Sequence, residues 1–117
     1  MRYSIRVSEV KGTSSYPGVV GQKLIDPKTL GEGVYPGSLE LVTLNPGVSV
    51  PLDAHEDQEV FYVLEGGGLA RVGEQEIPLE AGVALCAPSG VLHQMVNNGK
   101  TPLKYILAHA PFKFSKS

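Results

Sequence analysis

The sequence predicts an all-β domain, an antiparallel sandwich or barrel, and three observations carry that prediction. Its 14 glycines and 9 prolines are spread over the whole 117 residues rather than clustered, so turn signals recur too often for long helices. Short apolar runs rich in β-branched and aromatic residues lie between those turns at regular intervals. Where a stretch free of Gly and Pro does occur, its apolar residues alternate or form a compact run, a strand pattern and not a helical one.

The elements follow in order. Met1–Lys11 alternates Tyr3, Ile5 and Val7 with Arg2, Ser4 and Arg6, which predicts a first strand. Further strands are expected at Val19–Ile25, Ser38–Leu44, Leu69–Val72, Gln75–Leu79, Val83–Cys86, Leu92–Val96 and Leu103–His109. Between Ser38–Leu44 and Leu69–Val72, the segment Asp53–Glu65 ends in the run Val60-Phe61-Tyr62-Val63-Leu64, closed by Gly66-Gly67-Gly68. Turns are expected at Pro36-Gly37, Asn45-Pro46-Gly47, Gly73-Glu74, Ala81-Gly82, Pro88-Ser89-Gly90 and Asn97-Asn98-Gly99. No repeat, linker or low-complexity stretch divides the chain, so residues 1–117 are expected to form one domain, with a frayed tail over 112–117.

Composition narrows the function classes. A net charge of −2 gives no electrostatic reason for nucleic acid or an anionic membrane as partner. A single cysteine, Cys86, excludes an intrachain disulfide. It is expected to be a buried small hydrophobe, since nothing cationic nearby would activate it. The N-terminus lacks the apolar run of a signal peptide and no stretch has transmembrane length, so a cytoplasmic location is the expectation.

Chemistry concentrates in two places. If Asp53–Glu65 is extended throughout, Asp53, His55, Glu59, Phe61 and Val63 share one face. That face begins with three potential metal ligands and continues with core groups. His93 lies on a second run, Leu92-His93-Gln94-Met95-Val96, with Met95 and Asn97 on its face. Imidazole and carboxylate from two strands suit Fe(II), Mn(II), Ni(II) or Zn(II) and leave positions open for water or substrate. Taken singly, each histidine is more often an ordinary core residue; both in register with Glu59 favour a metal site.

These residues resemble the cupin family. Gly47, Asp53, His55, Glu59 and Gly66 fall at the offsets of the first cupin motif (residues 47–66), with Asp53 where the motif has a histidine. Gly82, Pro88, Gly90, His93 and Asn97 match the second motif (residues 82–97) at every position. The resemblance implies a double-stranded β-helix, or jelly-roll barrel, that binds one divalent transition metal through Asp53, His55, Glu59 and His93. If Asp53 ligates, two carboxylates make a hard set that leans from Cu towards Fe(II) or Mn(II). If it is too short to reach, His55, Glu59 and His93 form a two-histidine, one-carboxylate triad, and Asp53 caps a turn after Pro51.

Other residues carry plainer expectations. Phe61 and Met95 are expected to line a substrate pocket beside the ligands. His109, on the face of Tyr105 and Leu107, either lines that pocket or sits at the barrel rim or a subunit contact. Arg71 is expected to be a solvated outer-face residue, and Gly66-Gly67-Gly68 a tight turn. Cupins span isomerases, lyases, dioxygenases and non-catalytic binders, so the resemblance implies either a metal-dependent enzyme acting on a small oxygen-rich molecule or a binding or sensing module with a structural metal. A homodimer is expected, paired through the first strand, Arg2–Val7.

Overall fold

A computed structural model describes residues 3–26 and 37–110. Within them, a 3₁₀ turn at Val7–Glu9 precedes β1 (Thr13–Tyr16), β2 (Val19–Ile25), β3 (Ser38–Leu44), β4 (Gln58–Glu65), β5 (Gly67–Val72), β6 (Gln75–Glu80), β7 (Ala84–Ala87), β8 (His93–Val96) and β9 (Leu103–Ala110). All strand pairs are antiparallel. One sheet runs β1-β2-β3-β9-β4-β7 and the other β6-β5-β8, the two-sheet arrangement of a jelly-roll barrel.

Strand β4 shows how the sequence makes this architecture. Its burial alternates strictly, with Glu59, Phe61 and Val63 inside and Val60, Tyr62 and Leu64 outside. The inner set joins Val42, Leu44, Ala70, Leu79, Met95, Leu103 and Tyr105 in one core between the sheets. The chain then passes from one sheet to the other at Gly66, whose φ of 83° favours glycine. A Cβ at Gly66 would strike the carbonyl of Pro102, and one at Gly68 the carbonyl of Val96. The glycine run therefore marks a corner where backbones touch, and Gly67 and Gly68 already belong to β5.

The extended stretch before β4 is not part of it. Residues 48–53 run beside β8: Val50 N–H donates to Met95 O (2.9 Å), Asn97 N–H to Val48 O (2.9 Å), and Asp53 and His93 exchange both backbone bonds (3.1 and 2.9 Å). A bend at Glu56-Asp57 then leads into β4 in the other sheet. The single extended strand expected over Asp53–Glu65 is thus two pieces in two sheets, because a barrel must be closed at its corners.

Two further expectations are corrected. Residues 3–6 form no strand and Val7–Glu9 is a 3₁₀ turn. Tyr3 (79% exposed) and Val7 (42%) lie against no core, so their alternation has nothing to bury. Arg6 N–H instead donates to Glu9 Oε1 at 2.9 Å. The first strand is β1, wholly exposed and hence without a burial pattern; the signal for it was Pro17-Gly18, a two-residue hairpin between paired Tyr16 and Val19 with Gly18 at φ 81°. Cys86 is exposed, because on β7 the inward positions are Leu85 and Ala87. Arg71 lies on the surface as expected, donating to Glu76 Oε2 (3.3 Å) and Gln94 Oε1 (3.0 Å). Pro36 and the tail 112–117 lie outside the described residues. Among the described residues, no helix is long and apolar enough to cross a membrane.

Candidate metal centre

Three buried polar side chains stand out among the described residues: Ser38, Glu59 and Asn97. Two of them belong to one cluster. Glu59 points inward from β4, directly opposite His109 on β9, and His109 is in turn opposite Ser38 on β3. Residues opposed across an antiparallel pair project to the same side, so register alone lines up Ser38, His109 and Glu59 on the inner face. His93 enters from the other sheet, and His55 from the corner before β4.

The carboxylate of Glu59 is the centre. Its Oε1 lies 2.9 Å from His93 Nε2 and 3.6 Å from His55 Nε2, and its Oε2 lies 2.8 Å from His109 Nε2. The His55 ring is 4.9 Å from that of His93 and 5.5 Å from that of His109, centroid to centroid. Ligand atoms of His55, Glu59 and His109 all lie within 4.8 Å of one another.

Each ring is held from behind. His55 Nδ1 donates to Asp57 O and His93 Nδ1 to Val91 O, both at 2.9 Å. A carbonyl can only accept, so the proton of each neutral ring sits on Nδ1 and its Nε2 presents a bare lone pair. His109 Nδ1 lies 3.4 Å from Ser38 Oγ. The backbone adds a further tie, Gly90 N–H donating to His55 O at 2.8 Å.

Burial alone would raise the Glu59 carboxyl, but the His109 hydrogen bond and, in their protonated forms, the charges of His109, His55 and His93 outweigh it and hold the group below its usual range. The same bond raises the His109 imidazole against the opposing effect of burial. Glu40, also on the inner face, is pushed up by burial, with Lys23 and His109 opposing.

The arrangement fits a divalent ion. Lone pairs of neutral imidazoles facing a carboxylate repel unless a proton or a cation lies between them. Donors bound at about 2.1 Å to one ion lie about 3.0–3.4 Å apart, and the separations of 2.8, 2.9 and 3.6 Å from Glu59 bracket that range.

Asp53 is placed differently from the other three residues singled out for a metal. It is exposed, its Oδ1 accepts the N–H of Ala54 at 2.8 Å, and it borders the cavity without joining the cluster. That cavity, about 370 Å³, opens above the cluster and is walled by Val50, Leu52, Phe61, Met95, Tyr105 and Leu107. Phe61 stacks at a tilt between Tyr105 (5.7 Å) and His93 (6.5 Å).

Asn97, at the second motif's last position, serves the fold. It is fully buried; its Nδ2 donates to Leu44 O (3.0 Å) and Thr101 O (2.9 Å), and its Oδ1 accepts Gly99 N–H (3.0 Å). Its backbone carbonyl accepts Gly47 N–H at 2.8 Å, which joins the start of the first motif to the end of the second.

Residues 40–109, more than half of the chain, match the family described as the cupin domain. The chain is a cupin. It is 36% identical over 64 residues to the oxalate-binding protein of Thermotoga maritima, covering 54% of this chain and 53% of that one. It is 30% identical over 89 residues to the tetracenomycin polyketide synthase protein TcmJ of Streptomyces glaucescens, covering 75% of this chain and 58% of the relative. The chain thus spans little more than half the length of these relatives. The polyketide cyclase RemF of Streptomyces resistomycificus superposes with a TM-score of 0.80 at 24% identity, over 97% of this cupin and 81% of RemF; at that identity the likeness shows the fold.

Two features of this cupin's site, the contact of His109 with Glu59 and the inward place of Glu40, escaped sequence reasoning, which had put His109 along the pocket, at the barrel rim or at a subunit contact. His109 lies 50 residues after Glu59 and meets it only through the β4–β9 register. Glu40 shares its inner row with Ser38, Val42 and Leu44, and that parity was the signal that could have found it.

Proposed function

We propose that this cupin binds one divalent transition metal at the floor of its cavity, with His55, Glu59 and His93 among the holding residues, and uses it on a small oxygen-bearing organic molecule of about ring size. The observation that carries the reading is the convergence of bare imidazole nitrogens on one buried carboxylate, at 2.9 Å from His93 and 3.6 Å from His55. When bound, such an ion supplies Lewis-acid polarisation of a substrate oxygen. The chain's own residues supply the rest. Phe61, Met95, Tyr105 and Leu107 offer an apolar wall, which orients a flat molecule and excludes water. The cavity of about 370 Å³ falls within the range of small-ligand sites. A second reading, a binding module without turnover, is favoured by the relative named as an oxalate-binding protein.

The test is thermal unfolding of the purified chain with Fe(II), Mn(II), Ni(II) or Zn(II), before and after chelation, then with oxalate or a dihydroxynaphthalene added. An ion at a hundred times its Kd stabilises by about 2.7 kcal/mol, a rise of roughly 10 °C for a chain of this size. The dihydroxynaphthalene should raise the midpoint further only in the loaded form. No retained metal and no shift with any of the four ions overturns the reading; oxalate bound without turnover selects the second.

A further inference from the structure

We propose that His109 is a protein ligand of the metal, giving a set of three imidazoles and one carboxylate, and that Asp53 stands outside it. The inference rests on the metal reading above and goes beyond it by assigning a residue from the last strand.

Geometry favours His109 on three counts. Its Nε2 is 2.8 Å from Glu59 Oε2, the shortest of the three imidazole contacts to that carboxylate. It engages the oxygen that His93 and His55 leave, so the carboxylate is flanked on both sides. His109 also sits inside a paired strand, between Ser38 and Glu59 in register, and a ligand on a rigid strand keeps its position better than one on a loop. Ser38 Oγ at 3.4 Å from Nδ1 can orient the ring from behind, as the carbonyls of Asp57 and Val91 orient the other two.

Asp53 lacks each of these supports. Only its backbone pairs, with His93, and its Oδ1 is engaged by the N–H of Ala54 at 2.8 Å. The chain crosses between sheets after it, so the parity that aligned Asp53 with His55 and Glu59 does not persist through the bend at Glu56-Asp57. A set with three nitrogens is softer than one with two carboxylates. It shifts preference from Mn(II) and Fe(II) towards Co(II), Ni(II) and Zn(II).

The experiment titrates the metal-free chain with Co(II), following the visible ligand-field bands and competition with a chelator, and counts coordinated imidazoles from nitrogen couplings in the Cu(II)-loaded protein. Four proteins are compared: the unmodified chain, His109→Gln, Asp53→Asn and His93→Ala, each checked for folding by circular dichroism. We expect His109→Gln to weaken Co(II) at least tenfold, to change the band positions and to lower the imidazole count by one, as His93→Ala does. Asp53→Asn should remain within twofold with an unchanged spectrum. Cobalt bound by the unmodified chain and lost in His93→Ala, but unaltered in His109→Gln, overturns the assignment of His109 alone. A tenfold loss in Asp53→Asn overturns the exclusion of Asp53. No uptake by the unmodified chain overturns both this inference and the metal reading. Should His109→Gln fail to fold, His109→Ala with added imidazole replaces it: recovery of the bands supports ligation, and no recovery in a folded variant counts against it.

Discussion

Replacing Asn97 by Ala should unfold the barrel more readily without touching metal binding. Three side-chain hydrogen bonds vanish, to Leu44 O, Thr101 O and from Gly99 N–H, at a residue with no exposure. Each lost bond costs about 1 kcal/mol net when its partner can find water, and up to about 3 kcal/mol when it cannot. About 3 kcal/mol in total is therefore a conservative sum. For a domain of this size, roughly 4 °C per kcal/mol converts it to a fall of about 12 °C in Tm. The assay is thermal unfolding by circular dichroism in the presence of a chelator, so that bound metal does not mask the change. Metal titration well below the new midpoint should give an affinity within twofold of the unmodified chain, because the Asn97 amide is spent on Leu44, Thr101 and Gly99. Asn97→Asp should be worse than Ala, since it keeps the acceptor for Gly99 but turns a carboxylate oxygen on two carbonyls. A Tm within about 3 °C of the original would refute the reasoning, as would lost metal affinity at unchanged Tm.

Two further outcomes follow from the backbone and the surface. Gly68→Ala should lower stability by about 2 kcal/mol or more in urea titration, since its Cβ would press on the carbonyl of Val96 and neither strand can yield cheaply. An unchanged midpoint would mean that β5 and β8 are not so closely set. Cys86 should react with a thiol reagent in the folded chain at nearly the rate of a free thiol, because it is exposed, and Cys86→Ser should move Tm by less than about 2 °C. Protection until the chain unfolds would count against an open outer face of β7.

The residues by themselves determined the strand content and two halves of the site. The β-branched and aromatic run Val60–Leu64 and turn residues on either side of each apolar run are local signals, and strands are local enough for them to suffice: eight of the expected strands lie where the structure has β2 to β9, apart from shifted ends. His55, Glu59 and His93 were legible because their spacing is a property of the chain. Where the sequence failed, the deciding contact was not local. Tyr3, Ile5 and Val7 alternate like a strand, yet burial requires a sheet to lie against, and Tyr3 and Val7 are exposed. Asp53 kept parity with Glu59 on paper, but parity is a property of one strand and the chain changes sheets between them. His109 joined Glu59 only because β9 lies between β3 and β4 in a register that places the two side chains opposite each other. Strand order and register are set by which pairings bury the most apolar surface together, and that sum runs over the whole barrel, so no single segment contains it.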